Sequence, residues 1–251
     1  MKRLSIFSLV FLMILASVTS AYSGTQSKKG TSITNVTELQ AMQNDLAGTY
    51  YLANDIDASA TSGWNDDAGF GPVGDGSTPF TGIFDGNGHT ITGLYMNRPS
   101  SNEVGLFGYI DGGEVKNVGL INVDINSSGS FHAGGLAGIV EGSTVINCYV
   151  TGAVSGNAGN AGGLISLNSG IITNCFSVCV VDGASPGGLI SSNSGGTYND
   201  CFWDTETSGQ ATSAGGTGKT TAEMKQEATF TNWNFDEVWD IAEGRTYPFL
   251  R

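Results

Sequence analysis

The stretch GGLAGIVEGSTVINCYVTG, from Gly134 to Gly152, decides the fold because related stretches recur along the chain. They are VGLFGYIDGGEVKNVGL from Val104, GGLISLNSGIITNCFSV from Gly162 and GGLISSNSGGTYNDCFW from Gly187. The leucines of the repeats, Leu106, Leu136, Leu164 and Leu189, are 30, 28 and 25 residues apart. A period in this range is typical of solenoid proteins, in which each repeat packs on its neighbours.

Each repeat contains two short apolar runs separated by turn residues such as Glu141-Gly142-Ser143, a pattern that favours strands over helices. A second feature follows each leucine by about eleven residues: Asn117-Val118, Asn147-Cys148, Asn174-Cys175 and Asp200-Cys201. Stacked coils place equivalent residues about 4.8 Å apart in inward ladders. Because parallel crossover connections are right-handed, we predict an all-β, right-handed parallel β-helix.

The flanks differ from the repeats. Residues 1–21 are typical of a signal peptide, with Lys2 and Arg3 before an apolar run. The β-helix is predicted over residues 22–207, with a capping helix at about 35–46 whose N-cap is Asn35 or Thr37. Residues 208–251 are predicted to form a C-terminal cap, in which Thr220-Thr221-Ala222-Glu223 is a capping box.

The charge of the chain limits its partners. The net charge is −13, and between Lys29 and Lys219 the cations are Arg98 and Lys116. Binding to nucleic acid needs clustered Lys and Arg, so we exclude that partner. The leader and the lack of a later apolar span predict a secreted, extracellular or cell-surface protein without a membrane span.

Four cysteines lie in or near the repeats. Cys148, Cys175 and Cys201 occupy one repeat position, where the first repeat has Val118. This pattern favours free, buried thiols. Neighbouring coils are close enough for disulfides, so pairing of Cys175 or Cys179 with Cys148 or Cys201 is the alternative.

Aromatic side chains follow the cysteine position at Tyr149, Phe176 and Phe202. Alternation along a strand would place these rings outside the coil, in a column able to stack on sugars or a protein. Inward-facing rings would be ordinary core, and the sequence leaves both arrangements open. The three residues are the ligand-binding candidates.

Asp55, Asp57, Asp66 and Asp67 are calcium candidates because calcium favours clustered oxygen ligands. Their spacing fits no twelve-residue calcium loop, so solvated loop acids are the alternative, and no other cofactor is expected. The acids between Val104 and Trp203 do not recur at one repeat position, and Lys116 is the one base among them. This arrangement predicts no catalytic residues and no enzyme activity.

The repeat from Gly134 resembles the GLUG motif, whose Gly-Leu-apolar-Gly core is matched by Gly135–Gly138 and Gly105–Gly108. Ser166 and Ser191 replace the closing glycine in the later repeats. Such motifs occur in bacterial and archaeal surface adhesins and in precursors of IgA-cleaving metallopeptidases. The resemblance covers nearly all of the chain after the leader and implies a β-helix. The zinc motif H-E-x-x-H of those peptidases is absent from this sequence.

These observations predict an adhesin-like binding protein that displays a rigid β-helix to a surface glycan or an extracellular protein. A carbohydrate-active β-helix enzyme, acting as a lyase or hydrolase, and a purely structural envelope component are the alternatives.

Overall fold

The computed structural model describes residues 30–127, 131–157 and 159–251. The predicted signal peptide at residues 1–21 lies outside these ranges. No helix in the described ranges has the length and apolar character needed to span a bilayer.

Short strands make up most of the described chain, with a few helical turns at its two ends. The strands are β1 Thr31–Ile33, β2 Thr49–Leu52, β3 Ile56–Asp57, β4 Ile83–Asp85, β5 Thr90–Thr92, β6 Tyr95–Asn97, β7 Glu103–Val104, β8 Phe107–Asp111, β9 Glu114–Lys116, β10 Gly119–Asn126, β11 His132–Gly134, β12 Ala137–Ile146, β13 Tyr149–Ser155, β14 Asn160–Gly162, β15 Ile165–Thr173, β16 Phe176–Asp182, β17 Ser185–Gly187, β18 Ile190–Asn193, β19 Thr197–Asn199, β20 Phe202–Asp204, β21 Thr217–Lys219, β22 Trp239–Asp240 and β23 Phe249–Leu250. The α-helices are α1 Val36–Ala41 and α2 Thr205–Ser208, and 3-10 turns cover Met42–Asn44, Ser59–Gly63, Glu223–Lys225 and Glu227–Thr229.

Parallel pairing between repeats builds the walls of the solenoid. In the described chain, one sheet runs from β1 through β2, β4, β9, β12 and β15 to β18, and a second runs from β3 to β21. A third joins β7, β11, β14 and β17. The register aligns the repeats, since Ala137 pairs with Phe107 on one side and Ile165 on the other. The prediction of a parallel β-helix is confirmed.

The two predicted inward ladders form the core. Leu106, Leu136, Leu164 and Leu189 are all fully buried. Val118, Cys148, Cys175 and Cys201 form the second ladder, each at most 3% exposed. Every coil contributes a residue to both ladders, and these residues become buried when the coils stack. Burial of this apolar surface is the main contribution to the stability of such a fold.

The asparagine before the second ladder turns the chain at a corner of each coil. Asn117, Asn147 and Asn174 have φ of 53°, 52° and 51°, the left-handed region that asparagine tolerates better than most residues. Their amides also stack: Asn147 Nδ2 donates to Asn117 Oδ1 at 3.0 Å, and Asn174 Nδ2 donates to Asn147 Oδ1 at 3.4 Å. Asparagine therefore suits this corner through both its backbone angle and its side chain, and Asp200 takes the same angle, φ 50°, in the last repeat.

Helix α1 covers the first coil, as predicted. The Asn35 side chain accepts a hydrogen bond from Glu38 N at 3.0 Å, which identifies Asn35 as the N-cap. The face of Val36, Leu39 and Met42 is buried against the coil. The α-helix is shorter than the predicted span and continues as a 3-10 turn through Asn44.

The chain after the last repeat follows two paths. Residues 208–219 cross the end of the stack, where Ala214 N donates to Ile190 O at 2.8 Å, and β21 extends the second sheet beside β20. Residues 220–251 then lie along the outside of that sheet. The predicted capping box is present, with Thr220 N bonded to Glu223 Oε2 at 2.8 Å, but it opens a 3-10 turn only. Helix α2 spans the predicted boundary between residues 207 and 208, and the division into domains stays a prediction.

Candidate binding cleft

The aromatic column lies outside the coil, yet it is not accessible. Tyr149 pairs in register with Phe176, and Phe176 with Phe202, and the first two rings stack with centroids 5.0 Å apart. Tyr149, Phe176 and Phe202 are 5%, 0% and 8% exposed. Of the two arrangements that the sequence left open, the rings take the outward one, but the C-terminal segment covers them. A ligand-binding role for Tyr149, Phe176 and Phe202 stays a prediction.

Residues 220–251 bury the column because they carry a matching set of apolar side chains. Phe230 and Trp233 lie over Phe202, with ring centroids 5.1 and 6.1 Å away. Trp239 lies 6.0 Å from Phe176. Burial raises the pKa of Tyr149 to about 12. A ligand would have to displace the C-terminal segment to reach these rings, so they do not form a ready binding surface.

Gly119 explains why the first repeat has no ring in this column. A Cβ at Gly119 would lie 2.3 Å from the Tyr149 ring. The ring of the second coil therefore covers the glycine of the first. The column begins at Tyr149 for this steric reason.

The cysteines are all free and buried. Cys148, Cys175 and Cys201 stack in the ladder, and each thiol donates to the carbonyl two residues before it at 3.2 Å. Burial raises the pKa of Cys175 well above its ordinary value, and the neighbouring thiols raise it further. The prediction of free thiols agrees with this arrangement, in which the cysteines are core residues.

The predicted calcium ligands do not converge. Asp55 Oδ1 accepts Thr90 N at 2.9 Å and Asp57 Oδ1 accepts Ser59 N at 2.9 Å, while Asp66 and Asp67 are exposed in a separate turn. Across residues 30–127, 131–157 and 159–251, no group of three or more His, Cys, Asp or Glu side chains is placed to share a metal ion. A calcium role for these four residues stays a prediction.

Two adjoining clefts lie beside the first coils, next to α1. One cleft has a volume of about 370 Å³. It is lined by Gln40, Gln43, Trp64, Asn65, Gly71 and Arg98. An adjoining cleft of about 750 Å³ shares Gln43 with the first. Its other lining side chains include Asp75, Ser77, Thr78, Ser101, Asn102 and Glu103. The two clefts meet at Gln43 and are together called the Gln43 groove below.

A rigid turn carries Trp64 into the groove. Asn65, Asp66 and Asp67 have φ of 55°, 55° and 63°, and the turn closes where Gly69 N donates to Trp64 O at 3.0 Å. A Cβ at Gly69, whose φ is +78°, would lie 2.3 Å from Tyr95 O. The turn thus requires glycine at its end, and it places the Trp64 ring partly against the core and partly at the groove.

The Arg98 side chain holds the end of the same turn through two hydrogen bonds to backbone carbonyls. Its Nε donates to Phe70 O at 2.9 Å and its Nη2 donates to Gly69 O at 2.7 Å. Burial lowers the pKa of Arg98, but guanidinium remains charged in proteins. The ion pairs of the described chain involve His89, Lys116, Lys219 and Arg251. Arg98 has no carboxylate partner within that part of the chain.

The opposite end of the groove is acidic. Burial raises the pKa of Glu103, and the charge of Asp75 raises it further. Asp75 is held in place because its Oδ1 accepts Ser77 N and Thr78 N, both at 2.8 Å. The groove thus carries a positive charge at Arg98, hydroxyl and amide groups in its middle, and carboxylates at its far end.

Comparison with known proteins assigns the family. A model of the M26 IgA1-specific metallo-endopeptidase N-terminal region matches residues 23–152, just over half of the chain. The chain belongs to this family. The match includes α1, the Gln43 groove and the first two repeats.

The relatives of this M26 N-terminal-region chain are much longer proteins. It is 39% identical over 147 residues to halomucin of Haloquadratum walsbyi, covering 55% of the chain but 2% of halomucin. It is 37% identical over 103 residues to a provisionally named Gly-rich membrane protein of Evansella cellulosilytica, covering 39% of the chain and 12% of that protein. The chain thus spans only a small part of either relative.

A solved structure, provisionally assigned as an immunoglobulin A1 protease from Bacteroides ovatus, aligns with 88% of this chain and 94% of its own chain. The identity is 20% and the TM-score is 0.49. A score below 0.5 adds nothing to the fold established above.

The family corrects one expectation. The sequence predicted a protein unrelated to enzymes. That prediction is wrong, because the family is the N-terminal region of metallo-endopeptidases. The link to IgA-cleaving peptidases, which the repeat resemblance implied, is supported. The GLUG assignment itself stays a prediction.

Two groove residues, Arg98 and Trp64, have unusual sequence surroundings, but neither belongs to a repeat, so the repeat pattern did not identify them. Arg98 is one of two cations between Lys29 and Lys219, and the other, Lys116, is paired with Glu114. Trp64 stands within the acidic run that contains the calcium candidates. The sequence does not show that Arg98 and Trp64 are close together, and only the fold brings both residues to one cleft.

Proposed function

We propose that this chain is a secreted or cell-surface recognition module of the M26 N-terminal-region family, which uses its rigid β-solenoid to hold the Gln43 groove toward a glycan or a glycan-bearing protein. Its relatives, a halomucin and a protein provisionally named as a Gly-rich membrane protein, support a place at the cell surface. The family name supports a role alongside peptidases.

The observation that carries the proposal is the placement of the Gln43 groove. It is concave and polar, and its sides come from the helical segment of Gln40 and Gln43, from loops before the first repeat and from Glu103 at the start of β7. Binding sites are concentrated on such loops when a rigid scaffold positions them. The repeat column of aromatic residues is buried, which leaves the groove as the better candidate.

A glycan array probed with the purified full chain tests the proposal. Ser101→Trp should fill the larger cleft and abolish binding, since the Ser101 side chain lines it. Thr197→Trp is the matched control, because Thr197 is exposed at the far end of the stack and should bind as the parent does. The proposal fails when no glycan binds, or when Ser101→Trp and Thr197→Trp bind equally.

A further inference from the structure

Arg98 lines the smaller cleft, and part of its guanidinium makes no hydrogen bond within the described chain. Guanidinium has five N–H donors, and two of them are occupied by Gly69 O and Phe70 O. Those two bonds use the Nε and Nη2 side of the fork, which leaves the end formed by Nη1 and the second Nη2 hydrogen. That end matches the two oxygens of a carboxylate.

The surroundings of Arg98 favour a sugar as the bearer of that carboxylate. Trp64 lines the same cleft, and an indole offers a flat apolar face with a polar N–H. Gln43 is exposed and makes no side-chain hydrogen bond to the rest of the described chain, so its amide is available to hydroxyl groups. The volume of about 370 Å³ lies in the range of small-ligand sites.

The charges along the groove set the direction of the ligand. Asp75 and Glu103 at the far end repel a second anion, but carboxylates accept hydrogen bonds from neutral hydroxyls. The lining contains few apolar side chains besides Leu46 and Pro72. Peptide grooves generally rely on apolar pockets or strand edges, so the lining fits a saccharide better than a peptide.

We propose that Arg98 and Trp64 form a subsite for a carboxylated sugar, whose neutral continuation lies in the larger cleft toward Glu103. The inference rests on the proposed glycan-binding function and names its ligand class. Arg98 would bind the carboxylate end-on, Trp64 would stack on the pyranose ring, and Gln43 would bind hydroxyls where the two clefts meet.

Calorimetry with the full chain tests the subsite, using 3′-sialyllactose, its neutral parent lactose and 3′-sulfolactose as probes. We expect 3′-sialyllactose to bind about 10-fold more tightly than lactose, as a charge-assisted bidentate contact would give. Arg98→Lys should remove most of that difference, because lysine retains the charge but loses the fork. Trp64→Ala should weaken both saccharides.

Gln43→Glu keeps the test decisive if Arg98→Lys disturbs the turn at Gly69. The new carboxylate would stand in the same cleft, and Gln43 has no bond to lose. We expect it to weaken 3′-sialyllactose about 10-fold more than it weakens lactose, since like charges repel at short range.

Equal affinity for 3′-sialyllactose and lactose overturns the subsite, as does an unchanged preference in both Arg98→Lys and Gln43→Glu. Equal binding of 3′-sulfolactose overturns the assignment to a carboxylate. A tetraglutamate peptide that binds as tightly as 3′-sialyllactose overturns the assignment to a saccharide. If the parent chain binds neutral glycans and shows no preference for acidic ones, this inference is wrong and the proposed function stands. If the parent chain binds no glycan at all, the proposed function is wrong as well.

Discussion

The repeat stack and the Gln43 groove use similar side chains for different purposes. In the stack, an asparagine amide bonds to the asparagine of the next coil, as Asn147 does to Asn117. In the groove, the Gln43 amide has no such neighbour, because the loops around it do not repeat. Periodicity gives each polar group a partner in the adjacent coil. Irregular loops leave some polar groups without one, and these groups remain available to a ligand.

The same contrast applies to aromatic residues. Tyr149 and Phe176 recur at one repeat position, so the rings form a continuous apolar column that the C-terminal segment covers. Trp64 stands alone in a turn and stays partly exposed. A column of rings is a large apolar surface that favours burial, whereas a single ring at the rim of a polar groove is stable when exposed.

The largest effect should come from the leucine ladder. Leu164→Ala removes a fully buried side chain between two neighbouring coils, and such changes destabilise a core by about 3 kcal/mol or more. Ile171→Ala, at a position 49% exposed in strand β15, which begins directly after Leu164, should change stability by less than about 0.5 kcal/mol. Urea unfolding followed by circular dichroism measures both. Equal losses would contradict the assignment of inward and outward positions.

Asn147 should have the next largest effect. Asn147→Ala places alanine in the left-handed region, which costs roughly 1–2 kcal/mol for a residue that lacks the local hydrogen bonds of asparagine. It also removes two ladder hydrogen bonds, each contributing about 1 kcal/mol. Asn147→Gly removes the same bonds but tolerates the backbone angle, so it should destabilise less in the same assay. If glycine and alanine are equally harmful, the backbone argument is wrong.

Much of the stack could be predicted from sequence because its residues are periodic. Spacing alone identified Leu106 through Leu189 and the cysteine ladder as core, and residue types narrowed the helix cap to Asn35 or Thr37. The burial of Tyr149 could not be predicted, because it depends on residues 220–251, which have no partner repeat and little regular structure. The Gln43 groove was missed for a related reason: Gln43, Trp64 and Arg98 are far apart in sequence and have no common spacing.

Asp204 links the stack to the C-terminal segment and should make that contact sensitive to acid. Asp204 is fully buried, and its Oδ2 accepts the hydroxyls of Thr221 and Tyr247, both at 2.7 Å. Burial alone would raise the pKa of Asp204. Hydrogen bonds from Thr207 N, Tyr247, Thr221 and Glu206 N outweigh it, so that pKa is lowered.

A lowered pKa fixes the direction of the pH dependence. The stabilising contribution is complete above the unfolded aspartate value of about 3.9 and is lost as pH falls through the folded pKa. Asp204→Asn should cost about 2 kcal/mol at pH 7, in the range for hydrogen bonds to a charged group, and the difference from the parent should shrink in acid. Tryptophan fluorescence during urea unfolding between pH 7 and 2 measures it, through Trp233 and Trp239. Asp182→Asn, at an exposed position, is the control. If the stability difference between Asp204→Asn and the parent does not depend on pH, the hydrogen bonds do not depend on the charge of Asp204.

The smallest effects on stability should come from two glutamines of one helical segment, Gln40 and Gln43. Comparing them distinguishes a residue that supports the groove from one that binds the ligand. Gln40 Nε2 donates to Gly71 O at 2.8 Å, and its Oε1 accepts Gly71 N at 2.7 Å, so Gln40→Ala should lose about 1 kcal/mol of stability. Gln43→Ala breaks no such bond and should lose less than about 0.5 kcal/mol, while weakening binding of 3′-sialyllactose. Thermal unfolding and calorimetry on the two variants report both quantities. A stability loss at Gln43 as large as that at Gln40 would mean that Gln43 supports the fold, and the groove would then lose the amide we assign to its ligand.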